Sequence, residues 1–210
     1  MDVAALRRVA SSGRDAYPMA GVRTCIHGEG EAPMEVLLAA CTLRDGEARV
    51  PASAFRGDRS MASIALPAGL TSLGEGAFQG CSSMTSIALP AGLTSLGEFA
   101  FRDCSSLTSI ELPAGLTSLG GHAFCGCSAM TSSALPAGLT SLGDYAFCGC
   151  SSMTSIELPA GLTSLGGRAF LCCSSLTSIT LPAGFDDSIL RSAQLPPSAI
   201  LRFTPAVDVH

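Results

Sequence analysis

The chain has 210 residues, 47% of them hydrophobic and only 14% charged, with no tryptophan and a formal net charge of −5. No apolar run reaches the roughly 18 residues of a membrane span, so no membrane insertion is expected. Residues 1–65 balance eight acids against eight arginines, whereas 66–184 set six acids against only Arg102 and Arg168. No basic stripe faces a phosphate backbone, which excludes nucleic acid as a partner.

The N-terminal stretch MDVAALRRVASSGRDAY is material for an amphipathic helix. Arg7 and Arg8 interrupt its short apolar run and no longer apolar core follows, so it does not read as a secretory signal. Asp2 and Asp15 argue against a transit peptide. The expected compartment is therefore the cytoplasm rather than the cell surface. The chain contains no Asn, which removes N-glycosylation sequons.

From about residue 38 the sequence repeats itself every 23 residues. Five full copies begin at Leu66, Leu89, Leu112, Leu135 and Leu158, and a sixth opens as LPAG at Leu181 and dissolves after Phe185. Stepping backwards, Phe55 falls under Phe78, and LAACTL (Leu38–Leu43) falls under MASIAL (Met61–Leu66). Stepping forwards, Pro205 falls under Pro182, which makes AILRFT a degenerate last strand. The expected organisation is an N-terminal cap over 1–37, a solenoid of six to seven coils over 38–184, and a C-terminal cap over 185–210. Terminal coils need such atypical covers to stay soluble.

Within a copy the apolar residues have a fixed order, for example Leu89, Leu93, Leu96, Ala100, Phe101, Cys104, Leu107 and Ile110. LTSIEL (Leu107–Leu112) has the composition of a short strand. PAG then reads as a tight turn, with Pro fixing φ and Gly at positive φ. LTSLG (Leu116–Gly120) is a second extended piece, and AF..C closes the coil as a loop or short 3₁₀ turn. No unit of this length buries its own apolar face, so each coil must stack on the next. The fold class is a mainly β solenoid, with the Phe55, Phe78, Phe101, Phe124, Phe147 and Phe170 column as its spine.

The pattern LPAGLTSLG..AF..CSSLTSI resembles the BspA-type leucine-rich repeats. The resemblance covers about two thirds of the chain in consecutive copies. It implies a right-handed leucine-rich-repeat superhelix with a parallel sheet on its concave face. It also implies an interaction or cell-surface role without catalysis, and it carries over no site residues.

Half of the ten cysteines, Cys81, Cys104, Cys127, Cys150 and Cys173, share one repeat position and read as a reduced, buried ladder. Cys125 and Cys148 fall outside it, two residues earlier in CGC motifs of neighbouring copies. They are candidates for a disulfide, since stacked coils bring their Cα atoms within bonding range. The four thiols of the two motifs are also the donor type of a tetrahedral zinc site, although structural zinc spacing is usually C-x₂₋₄-C. No metal and no other cofactor is assigned.

Nothing reads as an active site. His27, His122 and His210 are far apart, the serines recur in every coil, and no nucleophile elbow, P-loop or HExxH occurs. Two columns vary instead. The outward strand position reads Ala65, Ala88, Glu111, Ala134, Glu157, Thr180, a small and faintly acidic face without aromatic anchors. Just before each AF, a second column reads Gly76, Phe99, His122, Tyr145, Arg168. Stacking places its four large groups along one edge, where Tyr and Arg are the residue types of binding hot spots and His adds a titratable ring. The bland alternative is an exposed loop position that tolerates any side chain.

The expected function is a non-catalytic module for a protein or peptide partner, acting as a monomer. The candidate binding residues are Phe99, His122, Tyr145 and Arg168, with Glu111, Glu157 and Thr180 as the alternative face. A structural or adhesion element is the second reading, and a thiol redox or zinc protein built on the CGC pair the third.

Overall fold

A computed structural model describes residues 42–44, 47–64, 66, 68–182, 190 and 192–203. The N-terminal helix expectation, Leu38–Cys41, Cys25, His27, Ala65, Phe185, Pro205 and His210 lie outside those residues.

The described chain is a stack of parallel two-residue strands. β1 (Thr42–Arg44) and β2 (Glu47–Val50) pair as an antiparallel hairpin. From β2 onward the sheet is parallel through β3 (Ser72–Leu73), β4 (Ser95–Leu96), β5 (Ser118–Leu119), β6 (Ser141–Leu142) and β8 (Ser164–Leu165). The register is one repeat per coil: Val50 pairs with Leu73, Leu73 with Leu96, Leu96 with Leu119, Leu119 with Leu142 and Leu142 with Leu165. Each strand exposes or half-exposes its Ser and buries its Leu, the alternation that a one-sided strand requires.

This sheet is made by the LTSL segment, whereas the sequence placed the main strand at LTSIEL. That second column pairs as regular strands only at the far end, where β7 (Ser155–Glu157), β9 (Ser178–Leu181) and β10 (Ile200–Phe203) form a three-stranded parallel sheet. In earlier coils it is tied by a bridge between Glu111 and Ala134 and by one Thr–Thr backbone bond per coil, such as Thr131 N to Thr108 O at 3.0 Å. β10 confirms AILRFT as a last strand but with a slipped register. Ile200 pairs with Ser178, 22 residues back rather than 23.

The PAG turn also differs from expectation. Leu93 N donates to Pro90 O at 3.1 Å, so Pro90 is the first residue of the turn and Ala91–Gly92 are its centre. Gly92 is not among the residues at positive φ. The repeated glycine with the sharper constraint is the one ending LTSLG. A Cβ on Gly97 would lie 2.6 Å from Glu75 N, and one on Gly120 2.7 Å from Glu98 N. Here glycine allows one coil to rest on the backbone of the coil before it.

The AF..C segment is a run of turns in which alternate N–H groups serve different partners. In one coil, Ala100 N, Arg102 N and Cys104 N each donate three residues back, to Gly97 O, Phe99 O and Phe101 O. Between them, Phe99 N, Phe101 N and Asp103 N donate to the following coil, at Gly121 O, Ala123 O and Cys125 O. The short bonds do not run consecutively, so no 3₁₀ helix forms. The same alternation leaves no orphan N–H in the segment.

The core is a set of ladders. The six Phe rings stack with centroids 5.0–5.9 Å apart and planes within 14°. Leu70, Leu93, Leu116, Leu139 and Leu162 line the interior beside them, and Leu190 and Ala193 extend it past the last full coil. Burying one Phe contributes about 1.5–3 kcal/mol, so the spine is a large share of the driving force.

Candidate functional site

Each edge residue follows the LTSLG glycine by two positions, where the chain must turn its N–H toward the next coil. It does so in the left-handed region. Ser53, Phe99, His122, Tyr145 and Arg168 have φ of +57 or +58°, and Gly76 has +58° at the same place. The N–H groups so aimed reach the next coil at 2.7–3.0 Å, as in His122 N to Asp144 O and Tyr145 N to Gly167 O. For residues with a Cβ this conformation costs roughly 1–2 kcal/mol each.

The structure brings all four edge residues together. The Phe99 and His122 rings are 4.8 Å apart, and His122 and Tyr145 are 4.7 Å apart. The Arg168 guanidinium lies over the Tyr145 ring at 5.6 Å and donates through Nη1 to the Tyr145 hydroxyl. That hydrogen bond pushes the exposed guanidinium further up from its ordinary value, so its charge is permanent. Because they cover one another, Phe99, His122 and Tyr145 are half-buried, and only Arg168 is fully exposed. Three of the four side chains are thus shielded by their neighbours, and the fourth lies in solvent.

Sequence reasoning missed a fifth member. Arg102, three residues after Phe99 in the same coil, lies over the Phe99 ring at 5.7 Å. Its Nε is buried without a hydrogen bond and sits 3.3 Å from the Asp103 carboxylate, a contact of charge rather than of good geometry. The available signal was that Arg102 and Arg168 are the only cations in 66–184. The ring faces are consumed by stacking, which leaves the electropositive ring edges and the two guanidinium groups for a ligand.

The alternative face is simpler. Glu111 and Glu157 are exposed and Thr180 is half-buried, and Glu157 pairs with Thr180 across the three-stranded sheet. Ala134 separates the two glutamates by one coil on either side, so their carboxylates do not meet.

The ladder cysteines have a more specific job than packing. Cys81, Cys104, Cys127, Cys150 and Cys173 each donate their thiol to the carbonyl of the Phe in the preceding coil, at 3.0–3.3 Å. The Phe101 carbonyl thus accepts from Cys104 N and from Cys127 Sγ, using both lone pairs. Burial pushes the Cys104, Cys127, Cys150 and Cys173 thiols up, to about 12 for Cys104 and Cys173. This arrangement corrects the zinc alternative, because Cys127 and Cys150 are committed to the interior while Cys125 and Cys148 are half-buried on the outside. The four thiols therefore do not converge. Among the described residues no group of three or more His, Cys, Asp or Glu side chains is placed to share a metal ion. No helix among them is long and apolar enough to cross a membrane.

The family profile for the BspA type leucine rich repeat region matches residues 48–141 and 119–192 in six copies. Among solved structures, the chain is similar to a leucine-rich repeat protein of T. pallidum, with 28% identity and a TM-score of 0.56 over 69% of this chain and 74% of that one. It is also similar to a leucine-rich repeat protein from Bacteroides ovatus, at 24% identity and a TM-score of 0.59 over 74% of this chain and 45% of the other. A leucine-rich repeat protein from Eubacterium ventriosum matches at 25% identity with a TM-score of 0.55, over 65% of this chain and 36% of that one. The chain thus spans less than half the length of the latter two proteins. Among curated proteins none matches. With the profile covering well over half its length, the chain belongs to the BspA-type leucine-rich repeat family.

Proposed function

We propose that the chain is a non-catalytic interaction module that binds a protein or peptide partner along the stacked edge of Phe99, His122, Tyr145 and Arg168. The observation that carries this reading is a contrast inside the chain. A second column also sits at positive φ, and it holds glycine in four of its six places: Gly57, Gly80, Gly126 and Gly149, against Asp103 and Cys172. The edge column has the same backbone demand, yet only Gly76 meets it with glycine. Four large side chains are kept there at a conformational cost that glycine would remove, and strain retained in this way points to use of the side chains. Tyr and Arg are residue types enriched among binding anchors, and an edge with one group per coil suits an extended ligand along the solenoid axis.

Selection of a displayed random-peptide library on the folded chain tests the proposal. Enriched peptides should bind the Tyr145→Ala/Arg168→Ala variant at least tenfold more weakly, a loss of about 1.4 kcal/mol. A melting curve on the same variant should show that the solenoid remains folded. Equal binding to both proteins would discard the edge and turn attention to Glu111, Glu157 and Thr180.

A further inference from the structure

The CGC motifs leave two thiols that neither the core nor the edge stack uses. Cys125 and Cys148 occupy the same place in the coils beginning at Leu112 and Leu135. Their immediate neighbours Phe124 and Phe147 stack at 5.4 Å with planes 14° apart, so the two coils run parallel at this point. A backbone bond of 2.7 Å clamps the two coils together there, with Gly126 N donating to Cys148 O. Side chains projecting from such a pair of positions are about 4.8 Å apart at Cα. A disulfide accepts Cα separations of about 4.4–6.8 Å. Burial first, and then the neighbouring Cys148 thiol, push the Cys125 thiol up to about 11.

We infer that Cys125 and Cys148 form a thiol–disulfide exchange site that staples these two coils when a low-molecular-weight disulfide such as oxidised glutathione is present. One protein thiol loses its proton and attacks a sulfur of the small disulfide. That S–S bond breaks, a mixed disulfide forms and one small thiol leaves. The second protein thiol then displaces the other small thiol and the Cys125–Cys148 bond closes. Two electrons and two protons pass from the protein to the small disulfide, which becomes two thiols. Both protein thiols are protonated at neutral pH, so the exchange runs through a minor thiolate and quickens as the solution turns alkaline. The closed ring spans one repeat and fixes the coil contact at which His122 stacks on Tyr145, since Cys125 N and Cys148 N donate to their carbonyls at 3.1 and 3.0 Å. This site stands independently of whether the edge binds a peptide.

The test treats the full native chain with oxidised glutathione at mildly alkaline pH, blocks remaining thiols and reads intact mass, beside the Cys125→Ser and Cys148→Ser variants. The expected result is that the unaltered chain loses two more hydrogens than either variant and melts at a higher temperature until a reductant is added. In each variant the surviving thiol should instead keep a glutathionyl group. The inference is overturned if the unaltered chain retains its thiols or only gains glutathionyl groups. It is equally overturned if Cys125→Ser loses the same two hydrogens, which would assign the bond to another pair such as Cys148 and Cys172.

Discussion

His122 and Tyr145 lie 4.7 Å apart and 13° from parallel, and both hold φ of +57°. The favourable stacking of the side chains and the unfavourable backbone conformation therefore reside in the same two residues. Replacing His122 with Ala removes the stack and keeps the strain. Replacing it with Gly removes both. In urea unfolding, His122→Gly should be more stable than His122→Ala by about 1 kcal/mol, the reverse of the usual ranking of these residues. An Ala variant that equals or exceeds the Gly variant would mean that the left-handed backbone carries no strain here.

Two glycines only five residues apart should respond in opposite ways to the same substitution. A Cβ on Gly120 would meet Glu98 N at 2.7 Å and Gly97 C at 2.8 Å, backbone atoms that move only if the coils separate. Gly120→Ala should cost about 3 kcal/mol or more. A Cβ on Gly115 would meet Thr94 Cγ2 at 3.6 Å and Leu93 O at 3.7 Å, which are ordinary contacts, and its φ is not positive. Gly115→Ala should be neutral or stabilise by up to about 1 kcal/mol through the unfolded chain. Thermal melts of the two variants decide the matter, and a large loss at Gly115 would restore the positive-φ turn expected from PAG.

Ser133 occupies the position held by Ile64, Ile87, Ile110, Ile156 and Ile179 in the other coils. It is 7% exposed and its hydroxyl has no hydrogen-bond partner. The coil thus lacks a buried aliphatic group and holds an unsatisfied polar one. An unpaired hydroxyl costs about 1–3 kcal/mol, and a buried Ile contributes about 1.5–3 kcal/mol. Allowing for imperfect repacking, Ser133→Ile should raise stability by about 2–4 kcal/mol, with a matching rise in the urea midpoint. An unchanged midpoint would mean that the hydroxyl is satisfied in solution.

The period of 23 carried the stacking, the Phe spine and the Cys ladder, because identical side chains at a fixed spacing have few other ways to be buried together. It also brought Phe99, His122, Tyr145 and Arg168 into line, since alignment by repeat is alignment in space for a solenoid. Which of the two extended pieces forms the longer sheet was not legible, because LTSL and LTSI have nearly the same composition and differ only in how closely the coils approach. The left-handed backbone of the edge was hidden by its occupants. Gly76 alone hinted at it, and Phe, His, Tyr and Arg are residues that rarely adopt that conformation. The role of the Cys thiols was half legible: burial follows from position, whereas donation to the Phe carbonyl needs the offset of 26 residues that only the coil geometry supplies.

The thiol ladder should also give the fold a specific alkaline limit. Burial raises Cys104 from 9.0 to about 12 and Cys173 likewise, and Cys127 and Cys150 move in the same direction. Below pH 9 these thiols are protonated in both the folded and unfolded chain and contribute no pH dependence. Above it the unfolded chain releases protons that the folded chain holds, so the unfolded state gains stability until the pH passes the folded value. The folded state is therefore at full strength below about pH 9 and weakens between about 9 and 12. Each buried thiol should account for about 1.4 kcal/mol by one pH unit above 9. The chain has no lysine and only two tyrosines, so the other groups that titrate in this window are mainly its remaining cysteines, which the double variant below leaves in place. Urea midpoints at pH 8 and pH 10 check the expectation, which is a marked fall for the unaltered chain and a shallower fall for Cys104→Val/Cys127→Val. The double variant loses two S–H···O bonds and starts lower at pH 8, so the difference between the two pH values is the diagnostic quantity. Equal differences in both proteins would show that the ladder thiols ionise as readily in the fold as out of it.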